Sequence, residues 1–186
     1  DDQKHLLATL ANMEAMITAT LNFARDDAQQ EPSQTIELTS LLQTISDDYQ
    51  DQGHQIILST SQKVVSRLSP IAFRRVMENL INNSFYYGSK EDIAVVELTC
   101  YQKDTEVVIQ VLDNGAGIEE DELERVFKPF VRLDAERDTS SSSVGLGLSI
   151  SRSIIQSHGG TLTLHNRENS GLCAEIRLPI IGGDIF

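Results

Sequence analysis

Residues 113–118 read DNGAGI, and they follow directly on the apolar run EVVIQVL at 106–112. That run has the composition of a strand, so Asp113 falls at a strand end. An aspartate there, followed by two glycines, sets a carboxylate acceptor beside backbone that a flat ligand can approach closely. Taken alone, a turn with glycines is also an ordinary connection between elements, and both readings stand.

Toward the N-terminus, Pro70 marks a helix start, and Phe73, Val76, Met77, Leu80, Ile81 and Ser84 give that helix one buried face. Its second half reads ENLINNSFYYG at 78–88. Asn79, Asn83 and Tyr87 recur every four residues and form a stripe beside the apolar face. Asparagine is a mediocre helix former, so two at this spacing ask for a reason. A carboxamide oxygen is a hard ligand suited to Mg²⁺, and the amide nitrogen can donate to phosphate; solvated asparagines are the plain alternative. Toward the C-terminus come FKPF at 127–130 and the polar stretch RLDAERDTSSSS at 132–143, then GLGLSI at 145–150 opening a helix. A polar segment of that length inside a compact domain reads as a lid, with an unstructured linker as the alternative. Glycines at a helix N-terminus leave N–H groups free for phosphate oxygens, where the helix dipole also favours negative charge.

The remaining elements follow from pattern. Helices are expected at 39–51 and 145–157, and strands at 55–59, 94–101, 106–112, 161–166 and 172–178, with Gln102, Lys103 and Asp104 as a hairpin turn. Leu6, Leu10, Met13, Ile17, Leu21 and Ala24 repeat at near-heptad spacing, which suits packing or dimerisation of a separate helix ending near residues 27–34. The expected divisions are 1–30, 31–181 and a tail at 182–186. A net charge of −13 argues against binding a nucleic-acid backbone or an anionic membrane surface. Cys100 and Cys173 lie in apolar strands and read as buried thiols. No apolar run is long enough to span a bilayer.

Taken in order, the asparagine helix, DNGAGI, FKPF, the polar loop and GLGLSI resemble the N, G1, F and G2 boxes of the ATP-binding domain of sensor histidine kinases. That family lies in the wider group that includes gyrase B, Hsp90 and MutL. HGGTLTL at 158–164 and the Leu178–Pro179 pair match as well, so the likeness covers about residues 35–180. The stretch LLATLANMEAMITATLNFAR resembles the second helix of a dimerisation and phosphotransfer module. FVRLDAERD is similar to the lids of kinases related to the osmosensor kinase.

The resemblance implies a two-layer α/β sandwich with a mixed sheet, the GHKL or Bergerat fold, preceded by one long helix. It implies ATP and Mg²⁺ as cofactors, with Asn83 holding the metal and Asn79 supporting it as the catalytic pair. Asp113 would accept from the adenine amino group, Gly115 and Gly117 would allow close approach, and Tyr87 and Ile118 would flank the base. Phe127 and Arg132 would complete the set, and Gly145, Leu146, Gly147 and Leu148 would present backbone N–H groups to phosphate. The implied partners are a response regulator, the phosphoacceptor helix of a parent kinase and a second copy paired through residues 4–26. The implied location is the cytoplasmic portion of an inner-membrane sensor.

Three positions depart from the family pattern. Tyr86 stands where a cation is common, Ser143 where a further glycine is common, and Cys173 where Thr or Ser near the adenine aspartate is common. Two other functions remain on the sequence. One is an ATP hydrolase of the same fold, although Asn79 occupies the position where those members carry a water-activating Glu. The other is a scaffold without nucleotide. None of the four histidines, His5, His54, His158 and His165, lies in a motif resembling the H-E-L-R-T-P-L phosphoacceptor, so the chain is expected not to phosphorylate itself.

Overall fold

The computed structural model describes residues 31–60, 62–88, 93–133 and 145–180. The expected N-terminal helix, most of the polar loop, Ser143, His5 and the tail lie outside them. In chain order the elements are β1 (Gln34–Glu37), α1 (Leu38–Asp51), β2 (Gln55–Thr60), β3 (Val65–Leu68), α2 (Pro70–Tyr87), β4 (Val95–Lys103) and β5 (Glu106–Asp113). A 3₁₀ turn at Arg125–Phe127 follows, then α3 (Gly147–Ser157), β6 (Thr161–Asn166) and β7 (Leu172–Pro179).

The five-stranded sheet runs β2-β4-β5-β7-β6, with β2 and β4 parallel and the other pairs antiparallel. Because side chains alternate along a strand, β4, β5 and β7 each present one apolar row to the helices. Val96, Leu98 and Cys100 form one row, Val107, Ile109 and Val111 the next, and Ala174, Ile176 and Leu178 the third. Leu38, Leu42 and Ile45 of α1, Phe73, Val76, Met77, Leu80 and Ile81 of α2, and Ile154 and Ile155 of α3 close on them in a single core. Each fully buried aliphatic or aromatic side chain contributes roughly 1.5–3 kcal/mol. The arrangement is the expected α/β sandwich.

The opposite sheet face is polar. Thr99 donates to Gln110 (3.0 Å), Gln110 to Glu175 (2.8 Å), and Arg177 bonds both Glu175 (2.8 Å) and Glu106 (3.1 Å). Burial pushes the Glu175 carboxyl up, but the bonds from Gln110 and Arg177 outweigh it and hold the group below its ordinary value.

Several expectations shift. The hairpin turns at Asp104 and Thr105, since Lys103 still pairs with Glu106. Asp104 supplies the positive φ (53°) that a two-residue turn needs, which aspartate tolerates. Helix α3 begins at Gly147, not Gly145: Gly145 has φ +74°, and its carbonyl accepts the N–H of Phe130 (2.9 Å), closing the base of the polar loop. Strands β1 and β3 were not anticipated; they form a separate two-stranded ribbon too short to carry a visible alternation. No described helix is long and apolar enough to cross a membrane.

Helix α2 has Pro at its first turn, and its N-cap residue, Ser69, makes no side-chain capping bond. The cap comes from elsewhere: the Glu31 carboxylate accepts the N–H groups of Ile71 (3.0 Å) and Ala72 (3.1 Å). A carboxylate there satisfies two orphan donors and complements the helix dipole. This ties the start of the domain to the helix that carries both asparagines.

Candidate functional site

A cavity of about 1210 Å³ opens between the C-terminal half of α2, the segment following β5, the start of α3 and residues 131–133. From α2 come Asn79, Asn83 and Tyr87; their four-residue spacing turns all three to one side. Asn83 is half-buried and lines the cavity, and among the described residues its carboxamide makes no hydrogen bond. Asn79 is committed to protein: its Nδ2 donates to Ser151 Oγ (2.9 Å), and its carboxamide packs against Gly147. Gly147 is therefore needed for close approach, since a Cβ there would stand 2.8 Å from Asn79 Cγ and 2.9 Å from Nδ2.

The base of the cavity is Asp113, 5% exposed at the end of β5. Its Oδ1 accepts the N–H groups of Gly115 (2.9 Å) and Leu172 (3.0 Å), which fixes the carboxylate plane. Gly115 sits against the Tyr87 carbonyl, 2.6 Å from where a Cβ would lie, and Gly117 adopts φ +78°. Ile118 lines the same wall, and Arg132 and Leu133 border the cavity where the polar loop begins. Opposite them stand Gly145, Leu146, Gly147 and Leu148. Helix α3 has no side-chain cap, so its first-turn N–H groups are available to an anionic ligand.

The structure thus brings together Asn79, Asn83, Tyr87, Asp113, Gly115, Gly117, Ile118, Arg132 and Gly145 to Leu148. Phe127 is not among them. It is buried, with the Arg152 guanidinium 3.4 Å over its ring, and Arg152 also pairs with Glu124 (2.9 Å). The aromatic of FKPF fastens α3 to the 3₁₀ turn; it does not line the cavity. Cys173 is likewise displaced from the place the motif assigned. Alternation along β7 turns Leu172 and Ala174 into the cavity and Cys173 to the opposite face, so no thiol stands beside Asp113 in the pocket. Tyr86 is half-exposed, packs edge-on against Tyr87 (4.7 Å between centroids) and does not reach the cavity.

Glu78 faces the other way. It forms an ion pair with Arg74 (2.8 Å) and lines a separate recess with Asp48, Asp51, His54 and Asn82. The described histidines are placed structurally: His54 stacks on Phe85 (4.5 Å), His158 Nε2 accepts the Ser69 N–H (3.0 Å), and His165 lies exposed on β6.

Sequence reasoning missed Asn166, Arg167, Ser170 and Ser151. Asn166 is the last residue of β6, and Arg167 and Ser170 sit in the turn that joins it to β7. Because β7 lies antiparallel to β5, that turn must fall beside Asp113, a placement visible only once strand order is known.

Residues 68–181 match the family described as Histidine kinase-, DNA gyrase B-, and HSP90-like ATPase. The chain belongs to this family. Within it, the chain is a catalytic ATP-binding domain of the sensor histidine kinase type. It is 31% identical over 173 residues to the sensor histidine kinase GtrS of Pseudomonas aeruginosa, covering 93% of this chain and 34% of that protein. It is 29% identical over 181 residues to the sensor protein CutS of Streptomyces coelicolor, covering 95% of this chain and 43% of that protein. The chain therefore spans between about a third and two fifths of the length of these relatives. Among solved structures, the catalytic domain of histidine kinase ThkA superposes with a TM-score of 0.68 at 24% identity, over 79% of this chain and 95% of that one, and shows the fold. The ATP-binding domain of PrrB from Mycobacterium tuberculosis gives 0.66 at 25% identity, over 81% and 99%.

Proposed function

We propose that this domain binds magnesium-ATP and delivers its γ-phosphoryl group to a histidine on a dimerisation helix of the parent protein, for relay to a response regulator. The observation that carries the reading is the cavity itself. It holds a fixed carboxylate, uncapped helix N–H groups and the Asn83 carboxamide, which makes no hydrogen bond among the described residues.

Each end suits one part of the nucleotide. Asp113 accepts from the exocyclic amine of adenine while its two backbone bonds keep it from turning. The α3 N-terminus takes phosphate oxygens through N–H groups and dipole. The donor set also fits Mg²⁺. Among the described residues no cluster of three His, Cys, Asp or Glu could cage a metal, and magnesium needs only one or two protein oxygens when phosphates and water supply the rest. Asn83 would be that protein ligand, and the ion would neutralise phosphate charge during transfer. Asn79 acts at one remove, holding Gly147 and Ser151 so that the helix N-terminus stays opposite Asn83. Catalysis on this account is positioning and charge stabilisation.

Glu78 bears on the choice between kinase and hydrolase. Its carboxylate is paired with Arg74 in the separate recess, so Glu78 is not placed to activate water beside Asn79 and Asn83. The parent protein would be a membrane sensor with this domain on the cytoplasmic side, paired through residues 4–26.

The test is phosphotransfer in the full-length parent, incubated with magnesium-ATP and scanned by mass spectrometry. Acid-labile phosphohistidine on a helix preceding this chain is expected, lost in Asn83→Ala and absent from the isolated domain. Steady release of inorganic phosphate without phosphohistidine would replace the kinase reading with the hydrolase one.

A further inference from the structure

The segment carrying Asp113 does not join the sheet ladder beyond residue 113, yet the Asp113 and Gly115 carbonyls and both backbone groups of Ile118 are paired. The partners come from the β6–β7 turn, taken to include the last residue of β6, Asn166. Arg167 Nη1 donates to the Asp113 carbonyl (2.8 Å) while its Nη2 pairs with Glu97 (3.1 Å). Ser170 Oγ donates to the Gly115 carbonyl (2.6 Å). The Asn166 carboxamide takes both backbone groups of Ile118, accepting its N–H (2.9 Å) and donating to its carbonyl (2.7 Å).

We propose that this turn is the positioning element for base recognition, with Asn166 as its principal residue, and that it sets how strongly the cavity prefers a purine bearing a 6-amino group. The inference rests on the nucleotide reading above and deepens it. Asn166 acts as a one-residue strand partner, because only a carboxamide offers a donor and an acceptor side by side at that spacing. Gly117 leaves it room: a Cβ there would lie 2.5 Å from Asn166 Oδ1. Gly171 does the same under Asp113, where a Cβ would stand 2.9 Å from the carbonyl carbon and closer still to its oxygen. With Oδ1 of Asp113 held by two N–H groups, no hydrogen bond among the described residues uses Oδ2, so the turn decides where that acceptor points.

The geometry separates this role from general support. Around the cavity the turn bonds residues 113, 115 and 118, and Asn166 Nδ2 makes a longer bond to Glu120 (3.3 Å). It makes no hydrogen bond to Asn83 or to the α3 N-terminus, which serve the phosphate end. Loosening it should therefore cost base discrimination and spare phosphate affinity.

The experiment titrates the chain with magnesium-ATP, with the magnesium complex of purine riboside triphosphate, which lacks the 6-amino group, and with inorganic tripolyphosphate as a competitor. Asn166→Asp keeps the acceptor but sets a second oxygen against the Ile118 carbonyl; Asn166→Ser is a smaller change that decides the matter if the first variant does not fold. Wild type should prefer ATP. The variant should lose about tenfold in ATP affinity, the equivalent of one buried hydrogen bond, and most of its preference over the purine analogue, with tripolyphosphate affinity within about twofold. A folded variant with wild-type preference, or one that weakens all three probes equally, overturns the inference and leaves the nucleotide reading standing. A wild type that does not distinguish ATP from the analogue overturns both.

Discussion

Replacing Gly147 with alanine should destabilise the domain, although alanine is the better helix former. Gly147 opens α3, and the added Cβ would lie within 2.9 Å of both Asn79 Cγ and Nδ2. The Asn79 carboxamide must then swing aside and give up its bond to Ser151 Oγ. Ser151 is 2% exposed, so its hydroxyl has no water to turn to. Leaving a buried hydroxyl unpaired costs about 1–3 kcal/mol, against a helix-propensity gain of at most about 1 kcal/mol at a helix end. The net loss is about 1–2 kcal/mol, or a fall in Tm of about 2–8 °C for a domain of this size. Urea unfolding monitored by circular dichroism measures it. The cause is isolated by repeating the change in Asn79→Ala, where the obstructing carboxamide is gone. There Gly147→Ala should cost nothing or stabilise slightly, giving a coupling of at least about 1 kcal/mol. Equal stability of Gly147→Ala and wild type, or equal losses in both backgrounds, would refute the reasoning.

Glu31→Gln removes the charge that caps α2 while keeping the size of the side chain, and should cost about 0.5–1 kcal/mol in the same urea assay; no change would mean that the cap is idle. Burial pushes the Cys100 thiol up from 9.0 to about 12, and burial, with Glu175 nearby, does the same at Cys173. The unfolded thiol releases its proton near pH 9 and the folded one only near 12. Stability is therefore unaffected below about pH 9 and falls by about 1.4 kcal/mol per pH unit per thiol as pH rises above it. Unfolding curves at pH 8, 9 and 10 should show a shallower decline for Cys100→Ala than for wild type, and identical slopes would contradict the assignment.

The cavity was legible to the extent that its residues lie on regular elements. A four-residue spacing places Asn79, Asn83 and Tyr87 on one helix face whatever the neighbours are, and a glycine pair before a helical run leaves N–H groups free. Phe127 was misplaced because sequence shows an aromatic's presence but not its direction; Arg152, on an element 25 residues later, turns it into a packing post. Cys173 was misplaced for a simpler reason. Strand alternation flips the face with each residue, so a one-position error in the motif register moves a side chain through the sheet. Asn166, Arg167 and Ser170 carried no local signal, since their role depends on β7 lying beside β5. That pairing is long-range and comes from the closing of the sheet.

The most direct test of the central claim is calorimetric titration of the chain with magnesium-ATP, wild type beside Asp113→Asn. The account predicts saturable binding at one site, weakened about tenfold or more in the variant, because the amide that replaces a carboxylate oxygen turns an acceptor into a donor facing the adenine amine. The variant's circular dichroism should match wild type. Absence of binding by folded wild-type protein, or equal affinity in the two proteins, would contradict the claim that this cavity reads adenine through Asp113.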